Sequence, residues 1–231
     1  MKAPIPDNEV QRLAALREYH ILDTAAEQAY DDLTALAAYL CHAPIAMISL
    51  VDGSRQWFKS KLGLNELETP RDVAFCAHAI LQTEPLIVRD ALKDLRFSDS
   101  ALVTREPHIR FYAGFPLSSR EGFALGTLCA IDRRPRQLSD RQKTAMQALS
   151  RQVMALLELR RVSARMAEAL ANVKTLYGLL PICAWCKRIR NDQGYWSQVE
   201  AYLREHTEAD FTHGICPDCF EQQRPKEDPT E

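Results

Sequence analysis

The stretch "PIAMISLVDGSRQWFKSKLG", residues 44–63, decides the fold. Ile45 to Val51 is a short, mostly apolar run that reads as a buried strand. Asp52-Gly53 supplies a tight turn, and the residues after it return beside the run as a hairpin partner. Upstream, Asn8 is placed to cap a first helix with Val10, Leu13 and Leu16 on one face. Thr24 and Glu27 have the spacing of a capping box for a second helix. Its apolar positions Tyr30, Leu33, Leu36 and Leu40 step by three or four, and Pro44 ends the pattern. Downstream, "TPRDVAFCAHAIL" (69–81) predicts a helix with Thr69 as cap, Pro70 in its first position and Asp72 in its first turn. Val73, Cys76, Ala77, Ile80 and Leu81 would share its face. "PLIVRD" is a short strand, residues 91–108 a loop-rich connection, and "IRFYAGFPLS" and "GFALGTLCAID" two strands around a turn at Arg120-Glu121-Gly122. Ser139 with Gln142 is a further capping box. It opens the longest helical stretch, free of Gly and Pro from Asp140 to Tyr177. Helices packed on an antiparallel sheet make an α+β fold.

The totals narrow the function. The chain has 231 residues, 46% hydrophobic and 26% charged, with a net charge of −2. That is a globular composition and not a generally basic nucleic-acid binder. No stretch reads as a signal peptide or a membrane span, so the expected compartment is the cytoplasm, with no membrane partner. Seven cysteines there point to thiols or metal ligands rather than disulfides.

Several separated words occur in a telling order: "NEVQRLAALREYHILDT", "DDLTALAAYLCHAPIAMISLVD", "RQWFKSKLGL", "ETPRDVAFCAHAIL", "IRFYAGFPL" and "LGTLCAIDR". Together they resemble a bacterial GAF domain over residues 1–158, of the group fused to histidine kinases or diguanylate cyclases. The resemblance implies a central antiparallel sheet flanked by helices and a small-molecule pocket away from the terminal helices. It also implies dimerisation through those helices. No phosphoacceptor histidine box, ATP-binding glycine motif or GGDEF-like sequence is present. The expectation is therefore a sensor or interaction module and not an enzyme.

For the walls of such a pocket the aromatic candidates are Trp57, Phe58, Phe75, Phe111, Tyr112 and Phe115, with Arg110 and Thr127 as polar candidates. The competing reading is that the aromatics fill the core. Cys76 and His78 suggest a thiol–base pair, but residues two apart on a helix point away from each other. "DVAFCAH" also lacks the adjacent Cys-His of bilin-binding domains. Cys41 and Cys129 read as core.

Leu159, Val162, Met166, Ala169, Val173, Leu176 and Leu180 step alternately by three and four. They form the seam of a coiled-coil linker over residues 159–180 and predict a homodimer. Beyond it, Cys183 and Cys186 are matched by Cys216 and Cys219. Two such pairs supply the four tetrahedral corners of a structural zinc. A treble-clef-like module over residues 181–224 follows, with "QGYWSQVEAYLREHT" folded between the pairs and the second pair opening a helix. His213 is an alternative ligand or a support. So short a segment buries little core, and the metal would supply folding free energy. Residues 179–220 also resemble a cysteine-rich module found after bacterial sensor domains. Acidic residues outnumber basic ones across 181–224, which weakens a nucleic-acid reading. Trp185, Tyr195 and Trp196 either anchor a protein partner or form the module's own small core. The tail 225–231 is polar and predicts disorder.

The expected function is a signalling sensor: a small ligand in the GAF domain, a coiled coil, and a zinc-bearing contact module. The alternatives are a cysteine-based redox sensor or enzyme, and a structural adaptor with a filled GAF core.

Overall fold

The computed structural model describes residues 2–174, 180–191, 193–207 and 210–223. Contacts divide the chain into two units, Met1–Ala164 and Arg165–Glu231.

The first unit opens with α1 (Glu9–Glu18) and α2 (Gln28–Cys41). Both form where expected, but their details differ. Asn8 occupies the cap position of α1 without a side-chain bond. Val10 is 80% exposed, and Arg12, Ala15 and Leu16 are the buried face. Thr24 and Glu27 do not cap α2, because the buried ammonium of Lys59 claims both at 2.9 and 2.6 Å. An ion pair out of water outcompetes a neutral cap.

The hairpin forms as read: β1 (Ile45–Val51), a turn in which Gly53 N–H bonds the Asp52 carboxylate, and β2 (Arg55–Leu62). The predicted 69–81 helix breaks into three pieces. They are β3 (Glu68–Pro70), a 3-10 turn (Arg71–Val73) and a short α3 (Phe75–Ala79). Thr69 is drawn into the ladder opposite Gln56, so tertiary pairing overrides the local cap signal. β4 (Leu86–Val88), α4 (Ala101–Thr104), β5 (Phe111–Ser118) and β6 (Ala124–Asp132) follow, and α5 (Asp140–Lys174) closes the unit. The β5–β6 turn sits at Gly122, whose φ of +88° suits glycine.

The strands make one antiparallel sheet in the order β3-β2-β1-β6-β5-β4. Alternation gives it two apolar faces. Ile48, Leu50, Trp57, Phe111, Phe115 and Leu128 pack with residues of α1, α2 and α5. Met47, Phe58, Tyr112, Cys129 and Ile131 pack with α3 and the 86–109 segment. β2 carries a bulge: Ser60 pairs with Ile48 and Phe58 with Ser49, leaving Lys59 outside the ladder.

The second unit contains the C-terminal part of α5, a ribbon of β7 (Ile189–Arg190) and β8 (Trp196–Ser197), α6 (Val199–His206) and α7 (Pro217–Gln223). Of the heptad residues, Leu159, Val162 and Met166 are 66%, 43% and 63% exposed. Leu176 and the 225–231 tail lie outside the described residues, as does the Val173 side chain.

Candidate functional site

On the sheet face opposite α1, α2 and α5 lies a cavity of about 300 Å³. That volume is at the small end of ligand sites. Of the predicted walls, Phe58, Phe75 and Tyr112 line it. Trp57, Phe111 and Phe115 do not: each is one residue out of phase and fills the opposite core. Arg110 is not a lining residue either. Its guanidinium is held by the carbonyls of Val103 and Ile109, at 2.8 and 3.0 Å, and braces the segment that supplies Leu102, Glu106 and Ile109 to the wall. Thr127 is fully buried and acts through a neighbour.

That neighbour is Cys76, which does line the cavity. Thr127 donates to its sulfur at 3.0 Å and Tyr112 at 3.2 Å, and Ser49 and Thr127 share a bond of 3.2 Å. Burial pushes the Cys76 thiol up, but hydrogen bonds from Cys129, Ser49, Thr127 and Tyr112 outweigh it and hold it near 7. Burial raises Cys129 and Tyr112, and the proximity of Cys76 raises them further. Gly114 makes room for this arrangement, since a Cβ there would meet the Tyr112 hydroxyl at 2.1 Å. The His78 ring packs edge-on against Phe97 at 4.8 Å. Cys41 and Cys129 are buried as read.

Sequence reasoning missed Met47, Gln56, Thr69 and Cys76 as cavity residues. A signal existed for one of them. Gln56 precedes Phe58 by two, so a polar residue stands on a strand face otherwise reserved for apolar ones.

In the second unit Cys183 and Cys186 span a tight turn, and Cys216 and Cys219 lie at the start of α7. The amide of Cys186 donates to Cys183 Sγ at 3.5 Å, and that of Cys219 to Cys216 Sγ at 3.4 Å. These backbone donors lower the Cys183 and Cys216 thiols below the ordinary value. Four thiols in two such pairs suit zinc chemically. The expected four-ligand centre is nevertheless not assembled: among the described residues no group of three or more His, Cys, Asp or Glu is placed to hold a metal ion. A bound cation is what would draw four thiols to one centre. Trp185 is 95% and Tyr195 71% exposed, so they do not form a small core; among the described residues of this unit only Ile189 is buried.

No described helix is long and apolar enough to cross a membrane. The GAF domain family model matches residues 25–157. The chain is 42% identical over 153 residues to a cyclic di-GMP phosphodiesterase of Pseudomonas aeruginosa, a match covering 66% of this chain and 26% of that protein. The chain thus spans about a quarter of the length of that relative. This finding corrects the expectation that the chain is not an enzyme, because the relative carries an enzyme's name, although the match covers only 26% of it. The fold also matches a domain of a sensor histidine kinase protein from Sinorhizobium meliloti, with TM-score 0.51 and 21% identity over 63% of this chain and 99% of that one. The GAF domain of an Acinetobacter phosphoenolpyruvate-protein phosphotransferase gives TM-score 0.50 and 16% identity, over 67% and 98%. The sheet, its flanking helices and a sequence match over more than half its length show that the chain belongs to the GAF domain family.

Proposed function

We propose that the chain is a dimeric signalling sensor. The cavity beside Cys76 binds a small molecule, and α5 carries the response toward the C-terminal cysteine module. One observation carries this reading. α5 runs unbroken for 35 residues, buries Met146, Val153 and Leu157 against the sheet, and then exposes an apolar stripe at Leu159, Val162, Met166 and Leu170. An apolar stripe at this spacing, left open to water, is what a second copy's helix would cover. A ligand favouring one helix packing would then shift the dimer between states. The named relative suggests that the pathway served is cyclic di-GMP turnover.

In the same reading the two cysteine pairs close on one structural zinc, and Trp185 and Tyr195 are anchors for a protein partner. Cys183, Cys186, Cys216 and Cys219 would hold the ion, and when bound it would supply folding free energy to the module.

Sedimentation of the full chain at micromolar concentration tests the central claim. A dimer is expected, and a monomer for the double variant Leu159→Glu, Met166→Glu with an unchanged circular dichroism spectrum. A monomeric wild-type chain would remove the physical basis of the signalling route.

A further inference from the structure

Two residues that line the cavity each carry a buried polar atom without a hydrogen-bond partner. Gln56 and Thr69 stand directly opposite each other in the β2–β3 ladder, and both line the cavity. Gln56 is 5% exposed, and its Nε2 lies 3.8 Å from Met47 Sδ. A thioether can only accept, which sets the amide with Nε2 toward sulfur and Oε1 turned away. Gln56 Oε1 and Thr69 Oγ1 are both buried and without a hydrogen-bond partner. A buried carbonyl oxygen without a donor is destabilising, so this pair is matched to something that enters the cavity.

The charges around it narrow what that is. Among the lining residues the ionisable groups besides Cys76 and Tyr112 are Glu66, Glu106 and Arg133, all exposed at the rim. The Arg133 guanidinium already donates to the Pro107 carbonyl at 3.1 Å. The buried wall offers no basic side chain, so an anion drawn into it would lose its water without gaining a cation. The Phe75 and Tyr112 rings, 5.1 Å apart and tilted by 33° to each other, supply the aromatic part of the wall.

We propose that this cavity takes an uncharged, flat molecule of one or two rings that donates an N–H or O–H hydrogen bond to Gln56 Oε1 and a second polar contact to Thr69. The proposal rests on the reading of this cavity as a ligand site. It goes further in naming the chemistry recognised and in excluding anionic ligands from the interior.

Three probes test it on the full chain: indole, N-methylindole and benzoate, each followed by its rise in melting temperature and by ligand-observed NMR. Indole should bind about tenfold more tightly than N-methylindole, and benzoate should not bind. Gln56→Met should abolish the preference for indole while leaving the unliganded protein no less stable, since it removes an unmatched polar atom. If that variant fails to fold, Gln56→Leu provides the second reading and should remove the preference for indole in the same way. Benzoate binding in preference to indole, or an indole preference that survives Gln56→Met, overturns the proposed class while leaving a ligand site in place. Absence of binding by all three overturns both.

Discussion

At the scale of single residues, the N-terminal helix is fastened by one carboxylate. Arg12 grips Glu9 with two nitrogens, each at 2.8 Å, and bonds the Val51 carbonyl at 2.7 Å. Arg71 reaches the same carboxylate at 2.5 Å from the far side of the hairpin. Burial pushes Glu9 up, but the bonds from Arg12 and Arg71 outweigh it and bring it from 4.5 down to about 2. A folded-state value below the unfolded one means the stabilisation is complete above about pH 4.5 and is lost as pH falls toward 2. Glu9→Gln should therefore lower the melting temperature at neutral pH and flatten its fall through that window. An unaltered acid limb would show that the carboxylate does not hold α1. Arg12 also shows where sequence reading stops. A 1%-exposed arginine on the buried face of α1 defies residue-type expectation until its partners, Glu9 of α1 and the Val51 carbonyl of β1, are known.

Among the elements, α5 was the most legible. Ser139 and Gln142 form the expected reciprocal cap: Gln142 N–H bonds Ser139 Oγ at 3.3 Å, and Ser139 N–H bonds Gln142 Oε1 at 2.9 Å. Gln142 adds a bond to the Leu40 carbonyl at 2.8 Å, tying the start of α5 to the end of α2. Ser139→Ala should cost about 1 kcal/mol in chemical denaturation with an unchanged denaturant slope. No change in stability would mean that packing alone sets the start of α5. The 69–81 segment was misread because its cap signal is local, whereas its partner strand is supplied by residues 55–57. The cavity was half legible for a related reason. Alternation on β2 and β5 is visible in sequence, but which phase faces the helices depends on the layer built above it. Phe58 and Tyr112 fell on the cavity side, and Trp57 and Phe111 on the other. The Gln56–Thr69 pair could not be seen at all before β3 existed as a strand.

For the whole molecule, the sheet of the first unit separates the cavity from the layer of α1, α2 and α5. Met47 and Ile48 are chain neighbours, yet one lines the cavity and the other packs on the helix side. A shift of β1 of a few tenths of an ångström is felt on both sides, because close-packed cores transmit strain. The fold of the cysteine module should depend on metal. We expect about one zinc per chain in protein purified without added metal. All four module thiols should become reactive only after chelation, as read by thiol titration. No metal and four freely reactive thiols would favour the redox reading instead. The bulge on β2 bears on how such a sheet can change length. Lys59 stands outside the ladder, so losing its codon would leave Gln56 and Phe58 toward the cavity and Ser60 toward Asp31 of α2. Position 59 is thus a place where the gene can shorten without turning the domain inside out. What it would forfeit is the buried ammonium that ties the 24–27 loop to the sheet.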